Sequence, residues 1–210
     1  EKKLETERVL LAAGRVPGLG NIDVQRLGIE LDGKTIKVDE KMRTNIPGIY
    51  AVGDVVGKIM LAHVASREGI VAVENISGKE VLMDYKVVPN CVFSMPEVAS
   101  VGLTEEEARK ENDNIKVSKF PFMANGKALA MGEIEGMVKI IADGDTLELL
   151  GLHILGVHAS DLIAEGTLAL SMEATAFEIV NTIHAHPTLA ETIAEAAEGI
   201  VSKPIHLARV

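Results

Sequence analysis

Tryptophan is absent from this chain and aromatic residues make up only 3% of it, so any core must be built from Ile, Val, Leu, Ala and Met. Cysteine is almost absent as well. Cys91 stands alone, which excludes a disulfide within the chain and fits a reducing compartment. Its setting, VPNCVF, reads as a buried strand with an inert thiol. Positive charge is scarce: 21 basic against 31 acidic residues leave a net charge of −10, and no Lys/Arg cluster overrides that field. A polyanion would be repelled, so nucleic acid is excluded as an expected partner. No apolar run reaches the ~18 residues of a membrane span, and no charged-then-apolar leader is present. The chain has neither an internal repeat nor a low-complexity segment.

What is there is an ordinary globular composition, 47% hydrophobic and 25% charged, over 210 residues, enough for one large domain or two modest ones. The chain opens on EKKLETERVLLAAG, without a methionine and already running into a strand, and reads as the middle of a longer polypeptide. Val9 to Ala13 form a continuous apolar run closed by Gly14-Arg15, which predicts a buried strand ending in a turn. Residues 21–27 suit one or two helical turns. A Pro47-Gly48 turn leads into a strand over 49–52, with Gly53-Asp54 at its carboxyl end. Apolar residues at helical spacing from Leu61 to Asn75 predict a helix buried on more than one side, with Gly78 as its stop.

The rhythm changes near Tyr85, and a domain boundary is expected at 80–88. Short strands are predicted at 90–93, 98–101, 115–122, 137–142 and 149–155, the last two joined as a hairpin by Asp143-Gly144. Thr104 and Glu107 match a capping box. A long helix is expected from Ser160 to Met172, with Leu162, Ile163, Leu168, Ala169 and Met172 on its apolar side, and a final one from about Leu189 to Gly199. Antiparallel strands followed by helices predict an α+β domain with the helices on one face of the sheet, preceded by a partial α/β nucleotide-binding segment.

Chemistry concentrates in HAHPTLAE, residues 184–191. Pro187 directs His186 into extended backbone, ahead of the helix. Thr188 as N-cap with Glu191 at N3 is another capping-box match, and from spacing alone this structural role is the stronger reading. The competing one pairs Glu191 with His186, fixing the ring's tautomer and leaving one nitrogen free as a base. In GIYAVGD, Asp54 can bind ligand hydroxyls or cap the next segment. Met60-Leu61-Ala62-His63 begins a helix whose free N–H groups favour an electron-rich ligand. His153, His158, Asp161, Glu165, His184 and His186 lack zinc-site spacing, and no metal site is expected.

Taken together, LLAAGRVPG, GIYAVGDV with MLAHVASREG, FPFMANGKALAMGE, ASDLIAEGTLAL and HAHPTLAE resemble the C-terminal half of the dihydrolipoamide dehydrogenase family, a branch of the FAD-dependent pyridine-nucleotide disulfide oxidoreductases. MLAH and HPTLAE in this order carry most of the specificity. Glutathione and mercuric reductases are the nearest competitors. The resemblance implies that residues 1–16 are the tail of an NAD-binding domain, 17–84 the second part of an FAD-binding domain and 85–210 a dimerisation domain. It implies FAD at Asp54, Met60, Leu61, Ala62 and His63, NAD at Gly14, and His186 as the base oriented by Glu191. It further implies a homodimer that serves the acyltransferase core of a 2-oxoacid dehydrogenase complex or another lipoyl-bearing protein. The location implied is the cytoplasm, or the mitochondrial matrix in a eukaryote. Two departures stand out. The redox cysteine pair and a G-x-G-x-x-G fingerprint are missing, so that a catalytically inactive dimerisation module is the alternative for this chain alone. Gly156-Val157-His158 stands where a tighter Gly/Pro turn is expected.

Overall fold

The computed structural model describes residues 2–207, which divide between Asp84 and Tyr85 into two compact units. In the first unit, β1 (Leu31–Asp32) and β2 (Thr35–Ile36) form a small antiparallel pair. A 3₁₀ turn over Gly53–Val56 precedes α1 (Ala62–Ile76). A modest core of Val24, Ile29, Ile36, Ala51 and Val56 holds this unit together. The stop of α1 is as expected from Gly78: its N–H reaches the Asn75 carbonyl and Lys79 N–H reaches Glu74, with Gly78 at φ +90°. This is the Schellman arrangement that satisfies otherwise orphaned carbonyls.

Three sequence expectations fail in this unit, two of them for one reason. Val9 to Ala13 is exposed and has no strand structure. Over 49–52 only an isolated Arg43–Tyr50 bridge forms. A strand is a relation between two segments, and an extended run without a paired neighbour gains no ladder hydrogen bonds. The third is α1, which buries one side only: Val64, Glu68, Val71 and Ala72 are covered, whereas Ile70, Val73 and Ile76 are exposed.

The second unit is the α+β domain that the strand pattern predicts. β3 (Asn90–Val92), β4 (Glu97–Gly102), β5 (Ile115–Pro121), β6 (Met137–Asp143) and β7 (Leu149–Gly156) make one antiparallel sheet in the order β3-β4-β7-β6-β5. Val138 lies opposite Ile154 and Ile140 opposite Leu152, and all four are buried in the main core. That core also takes residues from α4 (Ala159–Ser171), α5 (Ala176–Asn181) and α6 (Glu191–Val201). α4 packs on β4 and β7, and α6 on β5 and β6. The short α2 (Glu105–Glu111), started by the predicted Thr104–Glu107 capping box, meets the alternate face, where its Glu105 pairs with Lys139 at 2.7 Å.

Two details of α4 differ from the sequence reading. It starts at Ala159, and the turn before it is made by Gly156 at φ +151° and His158 at φ +55°. A Cβ on Gly156 would collide with the Phe122 ring, so the glycine there admits that side chain. The buried stripe of α4 is Ala159, Ile163, Gly166 and Leu170, while Leu168 and Met172 are exposed. Small residues in the stripe let the helix approach closely; at Gly166 a Cβ would lie 2.9 Å from a Leu152 methyl. Cys91 lies in β3, half-buried against the core, and burial followed by the nearby Glu97 and Asp161 carboxylates pushes its thiol pKa up, which suits an inert thiol.

Candidate functional site

The segment between α5 and α6 has no regular structure, yet it is tied down at several points. Thr188 does not cap α6 as its spacing suggests: the N-cap is Ala190, and the Thr188 hydroxyl donates instead to the Ala185 carbonyl at 2.7 Å. Glu191, now the first residue of α6 and not its N3, ties the loop before the helix to the His186 ring. Its Oε2 accepts the Thr188 backbone N–H at 2.8 Å, and its Oε1 accepts from His186 Nδ1 at 2.8 Å. Each carboxylate oxygen takes one partner. The His186–Pro187 peptide bond is cis.

A carboxylate can only accept, so the His186–Glu191 contact places the proton on Nδ1 when the ring is neutral and leaves the lone pair on Nε2. The His186 side chain is 77% exposed, whereas that of Glu191 is 26% exposed. Burial alone would raise the Glu191 pKa, but the Thr188 N–H, the His186 ring and the His206 charge outweigh it and hold it below the usual carboxylate value. A depressed folded pKa stabilises the fold above the unfolded value and loses that contribution as pH falls through the folded one. The stability gap between the chain and its Glu191→Gln variant, followed by urea unfolding, should therefore be widest near neutral pH and close in acid below the ordinary carboxylate range. A gap that does not change with pH would contradict this assignment.

A second carboxylate lies one turn along α6. Glu195 is nearly buried and accepts from Ile205 N–H at 2.7 Å, His206 N–H at 3.1 Å and His206 Nδ1 at 2.6 Å. His186, Glu191, Glu195 and His206 line a cavity of about 270 Å³ together with Phe120, Asn125 and Leu129. Asn125, which is 4% exposed, joins the site to α3 (Gly126–Met131): its Oδ1 caps Ala128 N–H at 2.9 Å and its Nδ2 donates to the Thr188 carbonyl at 3.0 Å. Asn125→Ala removes the cap and leaves a half-buried carbonyl unpaired. It should cost about 1–3 kcal/mol, read from urea midpoints; a loss below about 0.5 kcal/mol would sink the claim that Asn125 anchors the loop.

Sequence reading missed Asn125, Glu195 and His206 as neighbours of His186. The Glu191/Glu195 spacing of four on one helix was the available signal for the second carboxylate. No local pattern points to His206, which arrives through the turn after α6. His184, left without a role by the sequence, is bound through Nε2 to Glu165 Oε1 at 2.8 Å and through Nδ1 to the Thr182 carbonyl at 2.9 Å. His153 and His158 have separate partners, Leu103 O and Asp161. Among the described residues no three His, Cys, Asp or Glu side chains gather as a metal site, and no helix is long and apolar enough to cross a membrane.

In the first unit, Asp54 lies in the 3₁₀ turn, and its Oδ2 pairs with Arg15 at 3.3 Å, which brings the Gly14-Arg15 segment beside it. Gly14 is exposed at φ +104°. Met60 and Leu61 are half-buried, and Ala62 and His63 are exposed on the first turn of α1. Leu61 is the N-cap, and no side chain caps the helix. Glu68, another residue the sequence reading passed over, is 1% exposed and accepts the Gly53 N–H at 2.6 Å, fixing the 3₁₀ turn against α1.

The chain resembles known proteins over nearly its whole length. The family signature of the pyridine nucleotide-disulphide oxidoreductase dimerisation domain matches residues 88–197, and that of pyridine nucleotide-disulphide oxidoreductase matches residues 1–69. Dihydrolipoyl dehydrogenase 2, mitochondrial, of Arabidopsis thaliana is 47% identical over 97% of this chain and 40% of the relative. Dihydrolipoyl dehydrogenase of Bacillus subtilis is 48% identical over 95% of this chain and 42% of the relative. Among solved structures, LpdA from Mycobacterium tuberculosis superposes with a TM-score of 0.84 at 30% identity, over 91% of this chain and 42% of that one. The flavoprotein disulfide reductase RclA from Escherichia coli superposes at 0.83 and 26% identity, over 89% and 44%. The chain thus spans less than half the length of these relatives, and with the dimerisation-domain signature covering more than half of it, it belongs to the pyridine nucleotide-disulphide oxidoreductase family.

Proposed function

We propose that this sequence is the C-terminal part of a dihydrolipoyl dehydrogenase, which oxidises dihydrolipoamide with NAD⁺ to give lipoamide, NADH and a proton. The observation that carries this reading is the His186 Nδ1 to Glu191 contact at 2.8 Å on an exposed ring. Such a pair leaves Nε2 to take the proton of a thiol, and Glu191 stabilises the resulting imidazolium without itself becoming protonated. His186 is the proposed base and Glu191 its positioning partner. Dihydrolipoyl dehydrogenase relatives of nearly half-identical sequence support the substrate class.

FAD, when bound, supplies the two-electron transfer between dithiol and NAD⁺. The residues of the first unit fit one wall of its site. The N-terminus of α1 is not capped by a side chain, and its N–H groups and dipole suit an electron-rich group. Met60, Leu61, Ala62 and His63 lie there, and Asp54 offers an acceptor for ligand hydroxyls. Gly14 is assigned to NAD. Residues 1–16 are read as the tail of the NAD-binding domain, 17–84 as the second part of the FAD-binding domain and 85–210 as the dimerisation domain. Cys91 is the only cysteine, so the redox disulfide that His186 serves comes from outside this sequence. We assign the active state to a homodimer in which each His186 faces the partner's site, and the physiological dithiol to a lipoyl-bearing protein such as the acyltransferase core of a 2-oxoacid dehydrogenase complex. The compartment follows the parent: cytoplasm, or mitochondrial matrix in a eukaryote.

A full-length enzyme carrying this sequence should turn over dihydrolipoamide with NAD⁺ and leave glutathione disulfide with NADPH essentially untouched. The reverse preference, in a purified flavin-loaded sample, would overturn the substrate assignment.

A further inference from the structure

His186 poses a physical problem: a base must be held in place, yet this ring is mostly exposed and stands on a segment without helix or strand. The chain on its C-terminal side is gripped by Thr188, through Ala185, Glu191 and Asn125. On the N-terminal side the grip is a different ring. His184 is 9% exposed in its side chain and links three parts of the fold: its own segment, the Thr182 carbonyl that ends α5, and Glu165 in the middle of α4.

Both partners of His184 are acceptors. A backbone carbonyl cannot donate, nor can a carboxylate, and a neutral imidazole has only one N–H. The two contacts coexist only with an additional proton in the pair, as an imidazolium against the Glu165 carboxylate or as a proton on Glu165 itself. In the first form both bonds are charge-assisted, the stronger kind. Glu165 therefore does more than fill a surface position on α4: it fixes a ring two residues from the base.

We propose that Glu165 and His184 are a positioning pair for His186, a doubly hydrogen-bonded anchor that holds the HAHP segment so that Glu191 meets Nδ1 of the base. This rests on the reading of His186 as the base, and its test reads ring chemistry instead of turnover, so that the two can fail separately. Histidine-ring ¹⁵N–¹H spectra of the ¹⁵N-labelled 210-residue chain assign the protons. In the unaltered chain both His184 ring nitrogens should show the shifts of hydrogen-bonded nitrogens, and the Nε2 shift should move in Glu165→Ala. His186, at a pH where its ring is neutral, should be predominantly the Nδ1–H tautomer. In Glu165→Ala the Nδ1–H fraction of His186 should fall severalfold, with core methyl resonances unmoved, and Glu165→Gln, which keeps an acceptor, should restore part of it. Ring nitrogens of His184 that show no hydrogen bond to either partner in the unaltered chain would overturn the proposal with no variant needed. So would a folded Glu165→Ala chain in which His186 keeps its tautomer.

Discussion

A full-length enzyme bearing His186→Ala should lose about 10²–10⁴-fold in kcat for dihydrolipoamide oxidation, the range general-base removal produces. The loss should be concentrated on the chemical step. The His186 ring is 77% exposed, so its removal opens no cavity, and the fold and flavin content should persist. Glu191 makes the effect specific. With the ring gone, its Oε1 loses a partner while Oε2 still holds Thr188 N–H, so the start of α6 stays in place. Raising the pH should recover part of the activity, because a pre-formed thiolate needs no base. Turnover within about threefold of the unaltered enzyme at neutral pH would remove His186 from the role proposed for it.

Phe122→Ala should be the most damaging single change to the fold of the second unit, costing about 3–5 kcal/mol. Phe122 is fully buried in the main core, and its ring fills the space that Gly156 leaves open. Its backbone also carries structure: the N–H donates to Gly136 O at 3.1 Å, and the carbonyl accepts Asn125 N–H at 2.9 Å. A ring-sized void beside β7 and the turn into α4 therefore loosens the Asn125 contact to Thr188 and, through it, the loop of His186. Urea unfolding followed by far-UV circular dichroism should show a lower midpoint with an unchanged slope. A loss below about 1 kcal/mol would mean that the neighbours collapse into the space and that Phe122 is not a keystone of this core.

How much of this was legible in the sequence depended on how local each feature is. The strands of the second sheet alternate or run apolar over a few residues, and the Thr104–Glu107 cap spans four, so a short window holds the information. Val9 to Ala13 carries an equally good strand pattern and remains exposed, because pairing requires a neighbour that no window contains. The face of α4 was misjudged through Leu168 and Met172. Apolar size suggests burial, but the docking surface is chosen by where small Ala159 and Gly166 let the helix approach the sheet. Short α3 and α5 were passed over, although Thr175 and Glu178 form a capping box at the spacing used elsewhere.

The site divides in the same way. His186 and Glu191 stand five residues apart, and their pairing could be weighed from spacing. Glu165 and His184 are separated by nineteen residues, Glu195 and His206 by eleven, and in both cases a loop must turn before the groups meet. Spacing suggests Thr188 as the N-cap, whereas the helix starts later and the carboxylate of Glu191 divides its oxygens between the Thr188 N–H and the His186 ring.

The two half-reactions separate the proposed role of His186, as the acceptor of the thiol proton, from every other. Anaerobic rapid mixing of a full-length His186→Gln enzyme with dihydrolipoamide, and separately with NADH, gives the rate of flavin bleaching from each side. Reduction by dihydrolipoamide should be slower than in the unaltered enzyme by about 10²-fold or more, and reduction by NADH should be nearly unchanged. Equal rates for dihydrolipoamide in the two enzymes, or an equal slowing of both half-reactions, would contradict the central claim.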